Sequence, residues 1–89
     1  MMYELEPRFS SRKSFYGKAH TIMDGDKLKL ISYNTIVAEK DMSGDKVVYR
    51  YFGHYSMTTT THQKEFFKQL GLSDNEIKKL FKEGELVYE

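Results

Sequence analysis

The feature that most constrains the fold of this chain is a change of hydrophobic period at Ser56. Before Ser56, apolar and polar side chains alternate, which is the two-residue period of half-buried strands. After Ser56, apolar residues follow helical spacing, and capping residues and glycines bound two short segments. Strands first and helices last predict an α+β domain, in which two short C-terminal helices pack on one face of an antiparallel sheet.

Three to four strands are predicted between residues 14 and 55. The first begins at residue 14 and ends at the tight hairpin turn predicted for Asp24-Gly25. The alternation then slips, and a β-bulge or a turn at residues 32–35 would restore it; we favour the turn. A further turn at residues 43–45 precedes the last strand, which is predicted over residues 46–55.

The first helix is predicted over about residues 61–70. Thr60 and Gln63 fit the S/T-x-x-E/Q capping box, in which two side chains satisfy free amides at the start of a helix. Gly71 ends the segment, because glycine readily takes the left-handed backbone that closes many helices.

The second helix is predicted over residues 73–83. Ser73 and Glu76 form another capping box, and Gly84 ends the helix. Residues 86–88 are predicted either to add a short edge strand or to pack as a tail.

A length of 89 residues allows one domain with one modest core. Residues 1–13 are predicted to be a lead-in segment, because Pro7 cannot donate to a strand ladder and the residues after it show no period. The single α+β domain is expected to span residues 14–89.

The composition favours a protein of a reducing compartment. The sequence has no cysteine, so disulfides and thiolate metal sites are excluded. A secretory signal pattern is missing, and so is any run near the roughly 20 apolar residues of a membrane span. We therefore expect a cytoplasmic protein without a membrane partner.

The net charge of +1 argues against a protein that binds nucleic acid mainly by counterion release. Such proteins carry several clustered cations that nearby carboxylates do not compensate. A local basic patch is still compatible with this balance, so we expect weak binding to nucleic acid at most.

Metal binding and catalysis are not expected. His20, His54 and His62 lack the spacing of zinc ligands. The run Asp24-Gly25-Asp26 lacks the further carboxylates of a calcium loop. Ser56 and His54 could meet on a strand, but no third group is present to orient a nucleophile and a base. The sequence thus predicts no enzyme activity, no metal and no cofactor.

Aromatic side chains are the main candidates for binding, since they make up 15% of the residues. Tyr49, Tyr51 and Tyr55 share one face of the last predicted strand. They are structural if the helices pack on that face; otherwise they form an open surface for single-stranded nucleic acid or a protein partner. The candidate partner-binding residues are the tyrosines and cations of the predicted strands and turns: Lys18, Lys29, Tyr33, Arg50 and Tyr51.

Three segments carry a family resemblance: SFYGKA at residues 14–19, SYNTIVA at 32–38 and GHYSMTTTTHQKEF at 53–66. They resemble small uncharacterised proteins, classed as a domain of unknown function, from phages, plasmids and chromosomes of low-GC Gram-positive bacteria. The shared pattern is S-Y-x-T-x-V-A followed by Y-S-x-T-T-x-x-H-x-x-E-F. The resemblance covers about residues 12–71 and implies a mobile-element context, without supplying an activity, a cofactor or a catalytic residue.

The last motif is interpreted as a strand-to-helix junction. Its hydroxyls would satisfy free amides at the start of the helix, and its histidine would be neutral. The residues predicted to act structurally in this way are Tyr55, Ser56, Thr59, Thr60, His62, Glu65 and Phe66.

Residues and resemblance together predict a small non-enzymatic interaction module of phage or mobile-element type. Its partner is expected to be a protein of the host or of the phage, and one such role is inhibition of a host or defence protein. The alternative is a nucleic-acid-binding accessory domain that uses strand aromatics and basic residues. Fold and genomic context are associations, so they do not identify the surface that binds the partner.

Overall fold

In the computed structural model, which describes residues 2–53 and 56–88, six strands form one antiparallel sheet and two helices pack on it. Each strand pairs with its neighbour in the chain, and the helices lie between the fifth and sixth strands. The elements are β1 (Met2–Glu4), β2 (Ala19–Asp24), β3 (Lys27–Ser32), β4 (Thr35–Asp41), β5 (Val47–Tyr51), α1 (Met57–Gln69), α2 (Asp74–Glu83) and β6 (Glu85–Tyr88). The predicted α+β class, with an antiparallel sheet and two C-terminal helices, is confirmed.

The sheet has six strands in the described residues and not three or four: β2 to β5 lie within residues 14–55, where three to four strands were predicted, and β1 and β6 lie outside that range. β1 lies within the segment expected to be a lead-in and pairs with β2 from Met2 to Glu4. β6 is the edge strand that the sequence left as one of two alternatives, and it pairs with β5. β1 has three residues and β6 has four, which is too few for a period to be visible, so their pairing partners determine their conformation.

β2 begins at Ala19, whereas the sequence predicted a strand from residue 14. Tyr16 and Gly17 have positive φ angles of 54° and 72°, so the backbone turns here. The Lys18 amide donates to the Phe15 carbonyl at 3.0 Å and closes this turn. A strand cannot continue through two successive residues in the left-handed region, which explains the later start.

The junction of β3 and β4 contains both of the features that the sequence offered as alternatives. Tyr33 has φ of 58° and lies in a turn between Ser32 and Thr35. The register also shifts between Leu30 and Ile31, which is a β-bulge. The preceding hairpin turns at Gly25, where φ is 62°, as predicted.

β5 covers Val47–Tyr51, which is shorter than the strand predicted over residues 46–55. Gly53 has φ of 70° and ends the extended backbone. His54 and Tyr55, which the sequence assigned to this strand, lie outside the described residues.

α1 begins at Met57, whereas its start was predicted near residue 61. Ser56 is the N-cap, and its hydroxyl accepts the amide of Thr59 at 3.2 Å. Thr60 is therefore inside the helix, where its hydroxyl donates to the Ser56 carbonyl at 3.2 Å. The predicted box fails because Gln63 instead donates its side-chain amide to the buried Val37 carbonyl at 2.8 Å.

α2 has the boundaries that its sequence predicts. Ser73 is the N-cap, and both hydrogen bonds of the capping box with Glu76 are present. Gly84 follows the helix with φ of 86°, in the left-handed region, and its amide donates to the Leu80 carbonyl at 2.7 Å. Local capping signals are sufficient here because the cap makes its bonds within the helix itself. No helix in the described part of the chain is long and apolar enough to cross a membrane.

One face of the sheet packs against the helices and forms the core. Ala38 and Tyr51 are cross-strand partners on this face, and Tyr49 lies beside them. The ring of Tyr49 meets that of Phe67 at 6.4 Å between centroids. Tyr49 and Tyr51 are therefore structural, the first of the two alternatives. The buried apolar core consists of Leu5, Phe15, Ala19, Leu30, Val37, Ala38, Tyr49, Phe66, Phe67, Leu72, Ile77 and Leu80.

Candidate functional site

The structure distributes the five candidate partner-binding residues over three places. Tyr51 packs against α2, where its ring meets Phe81 at 4.8 Å and its hydroxyl donates to the Phe81 carbonyl at 2.5 Å. Lys29 and Arg50 lie on the opposite sheet face, which the helices leave open. Lys18 and Tyr33 lie on adjacent turns at one end of the sheet.

Arg50 holds three acidic residues together on the open face. Its Nη1 lies 2.7 Å from Glu39 Oε2 and 2.9 Å from Asp41 Oδ2, and its Nε lies 3.3 Å from Glu85 Oε2. The carboxylates of Asp41 and Glu39 raise the pKa of Arg50 above its usual range. Bonds from Ser43 and from Arg50 hold the pKa of Asp41 well below its ordinary value. The guanidinium thus links β4, β5 and β6.

Lys29 is also engaged on the open face. Its Nζ lies 2.8 Å from Asp24 Oδ2, across the hairpin of β2 and β3. This contact raises the pKa of Lys29 and lowers that of Asp24. A phosphate backbone that approached this face would have to displace these carboxylates from Lys29 and Arg50, so neither cation is readily available for a polyanion.

The motif at the start of α1 builds a buried polar cluster between the helix and the end of β3. The Nδ1 atom of His62 lies 2.8 Å from the hydroxyl of Ser32, which in turn lies 3.1 Å from the hydroxyl of Thr59. His62 is 1% exposed and Ser32 is 2% exposed. The cluster connects the first turns of α1 to the end of β3, and the interpretation of this motif as a structural junction stays a prediction.

The surroundings of His62 disfavour its charged form. Burial lowers its pKa, and the positive charge of Arg12 adds to that shift. The edge of the imidazole meets the ring of Phe15 at 4.6 Å between centroids. Although a serine and a histidine in contact can form a nucleophile pair, Ser32 and His62 are enclosed, and the next group along is a threonine hydroxyl.

Glu65 anchors the N-terminal segment on α1. Its Oε1 accepts the amides of Phe9 and Ser10, both at 2.9 Å, and its Oε2 accepts the side-chain amide of Gln69 at 2.6 Å. Gln69 also donates to the Glu6 carbonyl at 2.7 Å. The following motif residue, Phe66, is buried in the core. The segment that the sequence treated as a lead-in is thus fastened to the helix by a buried carboxylate.

The remaining two candidates form what we call the tyrosine corner, which consists of the turns at residues 15–18 and 32–35. The Tyr33 amide donates to the Lys18 carbonyl at 2.7 Å, so the two turns are in direct contact. Tyr16 and Tyr33 are the residues other than glycine that have positive φ in the described part of the chain. Their side chains face solvent, since Tyr16 is 77% and Tyr33 is 49% exposed.

The tyrosine corner combines aromatic rings with cations. Lys18 is exposed and lies between Tyr16 and Tyr33 in the sequence. Arg12 and Lys13, just before the first turn, are exposed as well. The buried cluster lies behind the corner, because the Tyr33 ring approaches His62 at 6.1 Å between centroids. Such an arrangement can bind another macromolecule through rings that are held on fixed turns.

Sequence reasoning missed Tyr16, which it placed on a strand. The signal that could have identified it is local: the Ser14 hydroxyl accepts the Tyr16 amide at 2.9 Å, and Gly17 follows. A serine two residues before a tyrosine-glycine pair is a turn pattern. Among the described residues, no group of three or more histidine, aspartate or glutamate side chains is placed to hold a metal ion.

One comparison with known proteins finds a match. The model of a family described as a family of unknown function (DUF8033) matches residues 3–84 of the chain. No curated protein and no solved structure matches it.

Proposed function

We propose that this chain, which belongs to the family of unknown function DUF8033 because that family's model matches most of its length, is a non-enzymatic module that binds a protein partner. The tyrosine corner is its binding surface, with Tyr16 and Tyr33 as anchors and Lys18 beside them. Of the five candidate residues predicted from the sequence, the proposal keeps Lys18 and Tyr33, which share an exposed surface away from the core and from the ion pairs of the open face.

The observation that carries the proposal is the backbone conformation of two exposed tyrosines. A residue with a side chain costs on the order of 1–3 kcal/mol in a sparsely populated backbone region. Tyr16 and Tyr33 both have this backbone conformation, although asparagine or glycine would adopt it with less strain. Because Tyr16 is 77% and Tyr33 is 49% exposed, burial offsets little of this cost at Tyr16 and only part of it at Tyr33. Tyrosine is a frequent anchor of protein interfaces, so binding is a reason for these residues to be there.

A host or phage protein is the proposed partner, and inhibition of a defence protein is one role that such binding would serve. Support comes from the resemblance of residues 14–19, 32–38 and 53–66 to proteins of phages and plasmids. The net charge of +1 and the ion pairs around Lys29 and Arg50 also favour a protein over a polyanion. This role needs no catalytic group.

A nucleic-acid-binding accessory domain is the second candidate, and one observation favours it. Arg12, Lys13 and Lys18 stand exposed beside the two tyrosines, and cations near rings can bind phosphates while bases stack. We expect dissociation constants for oligonucleotides of about 10⁻⁴ to 10⁻⁶ M at physiological salt, the range of non-specific binding.

The test uses asparagine, which tolerates the left-handed backbone, so that loss of the ring does not disturb the turn. Tagged protein captures partners from lysate of a low-GC Gram-positive bacterium with and without phage infection, and calorimetry measures the affinity of the purified partner. Tyr16→Asn and Tyr33→Asn should each weaken binding at least tenfold, as expected for interface anchors. Tyr3→Asn, which removes a ring of β1 whose 60% exposure lies between those of Tyr16 and Tyr33, should not weaken binding.

The same variants separate the two candidates. Fluorescence anisotropy with labelled single-stranded and double-stranded oligonucleotides gives the affinity at low and at physiological salt. Submicromolar binding that falls steeply with salt and is lost in Tyr33→Asn and in Lys18→Ala would replace the protein-binding proposal with the nucleic-acid one. Protein binding that the three asparagine variants leave equal would remove the corner from the proposal.

A further inference from the structure

A second surface, on the other side of α1, has its own binding chemistry. A groove of about 570 Å³ runs between α1, α2 and the N-terminal segment. Phe9, Ile77 and Phe81 give it an apolar lining. Phe9 belongs to the segment that Glu65 holds, so the anchor described above also positions one wall of the groove.

The two helices line the groove with side chains at helical spacing. α1 contributes Lys64 and Lys68, which are one turn apart, and α2 contributes Ile77, Lys78 and Phe81. Residues three and four apart lie on the same side of a helix, so each helix presents a continuous stripe. The three lysines stand at the edges of an apolar floor.

The lysines outnumber the carboxylates available to them. Asp74 bonds to Lys68, whose Nζ lies 2.9 Å from its Oδ1. Lys68 first, and then Lys78 and Lys64, lower the pKa of Asp74, so all three ammonium groups act on this one carboxylate. Glu65 also lines the groove, but its oxygens accept protein N–H groups. Three lysines against Asp74 and Glu65 leave one net positive charge at the groove in the described residues, and only Asp74 forms an ion pair with a groove lysine there.

We propose that this groove binds an acidic peptide segment of a partner protein. A large apolar side chain of the segment enters between Phe9 and α2, and flanking carboxylates meet Lys64 and Lys78. Charge complementarity with the lysines favours carboxylates in the peptide, and the apolar floor favours a large apolar side chain between them. A peptide fits better than a single anionic group, because the lysines lie on two helices on either side of an apolar strip.

The groove is separate from the tyrosine corner. His62 faces β3 and the corner, whereas Lys64 comes two residues later on α1 and faces the groove. Among the described residues, none that lines the groove belongs to the turns at 15–18 or 32–35. The chain can therefore hold a peptide in the groove while the corner is occupied, and the two sites can be tested independently.

The experiment selects a displayed library of random 12-residue peptides on the full chain and, in parallel, on the Lys64→Glu/Lys78→Glu variant. Peptides enriched on the parent alone should carry aspartate or glutamate on both sides of an aromatic or aliphatic residue. Labelled copies of the enriched peptides are then measured by fluorescence anisotropy against single variants.

Lys78→Glu should weaken peptide binding at least tenfold, because it turns attraction into repulsion at the groove edge. Lys79→Glu is the matched control, since it makes the same charge change one residue away, at an exposed position outside the groove. Phe9→Ser should also weaken binding at least fivefold, while its backbone amide keeps the bond to Glu65. Tyr33→Asn should leave peptide affinity unchanged.

Five results would overturn the proposal. The first is a selection that yields no acidic and apolar pattern, the second is equal loss in Lys78→Glu and Lys79→Glu, and the third is loss in Tyr33→Asn. The fourth is tighter binding of laurate or of anionic vesicles than of any selected peptide. The fifth is a dimer, seen by sedimentation and broken by Lys78→Glu, which would assign the groove to a second copy. Circular dichroism of each variant confirms that the comparison is between folded proteins.

Discussion

Ser32 and His62, which are 30 residues apart in the chain, meet through a contact of 2.8 Å between Ser32 Oγ and His62 Nδ1. The same serine oxygen lies 3.1 Å from the Thr59 hydroxyl, so one small side chain at the end of β3 holds two positions of α1. Tyr33 directly follows this serine. The buried cluster therefore also holds the turn that displays one ring of the tyrosine corner.

Removal of the Ser32 hydroxyl should lower the free energy of unfolding by more than the loss of one small group would suggest. Ser32→Ala leaves His62 Nδ1 and the Thr59 hydroxyl without their shared partner, and an unsatisfied buried polar group costs about 1–3 kcal/mol. Urea unfolding followed by circular dichroism gives the free energy of unfolding. Thr61→Ala is the control, because its hydroxyl donates within α1 to the Met57 carbonyl. Equal stability of the two variants would show that the cluster adds nothing.

The stability of the domain should fall in mildly acidic solution because of His62. Burial lowers the pKa of His62 from 6.5, so the unfolded chain binds a proton more readily than the folded one. The contribution is complete above pH 6.5 and is lost as the pH falls below it. Unfolding midpoints of the parent and of His62→Gln between pH 7.5 and 5 measure the difference.

His62→Gln should be less stable than the parent at pH 7.5, and its own decline towards pH 5 should be shallower. If His62→Gln retained the full slope, the acid sensitivity would belong to other groups.

The side chain that stabilises the start of α1 should be that of Ser56 and not that of Thr60. Ser56→Ala removes the acceptor of the Thr59 amide and should cost about 1 kcal/mol of unfolding free energy. Thr60→Ala removes a hydroxyl that donates back to a helix carbonyl and should change stability by less than about 0.5 kcal/mol. Thermal melts of both variants decide this. A larger loss in Thr60→Ala would restore the boundary predicted from the sequence.

Glu65 should control the protection of the N-terminal segment from proteases. Its carboxylate accepts the amides of Phe9 and Ser10, so Glu65→Ala should free this segment and speed trypsin cleavage after Arg8 and Arg12 severalfold. Gln69→Ala, which leaves both amide bonds in place, should have a smaller effect. Cleavage rates by mass spectrometry that are equal in Glu65→Ala and the parent would contradict the anchor.

Arg50 should act on stability through its three carboxylate partners. Arg50→Leu leaves Glu39 and Asp41 side by side without the guanidinium that lies 2.7 and 2.9 Å from them, so the urea midpoint should drop. Lys27→Leu is the control, because Lys27 contacts Asp41 only at 3.9 Å and should change the midpoint less. Unchanged stability with lost partner binding in Arg50→Leu would return Arg50 to the binding surface.

The parts of the fold that the sequence predicts are those with local causes. Ser73 and Glu76 bond within their own turn, and Gly84 ends the helix by its own backbone freedom, so α2 is predicted closely. The start of α1 is different, since Ser56 and Thr60 offer similar hydroxyls. The choice between them depends on contacts with β3 and β4 that are distant in sequence.

The residues of the candidate site also differ in whether local sequence or distant contacts determine their surroundings. Tyr33 is predicted at a turn because residues 32–35 have turn composition, and it is exposed there. Arg50 and Lys29 look available in the sequence, yet carboxylates from neighbouring strands compensate them. No pattern within a strand reveals a partner on the next strand, because register decides which charges meet.

The order of strands in the sheet also bears on how the chain folds. Because each strand from β2 to β5 pairs with the one made just before it, the sheet can grow strand by strand as the chain leaves the ribosome. β6 is the exception, because α1 and α2 separate it in the sequence from its partner β5. The β5 edge of the sheet therefore stays unpaired until β6, which follows α1 and α2, has been made, and during synthesis this open edge can associate with other chains.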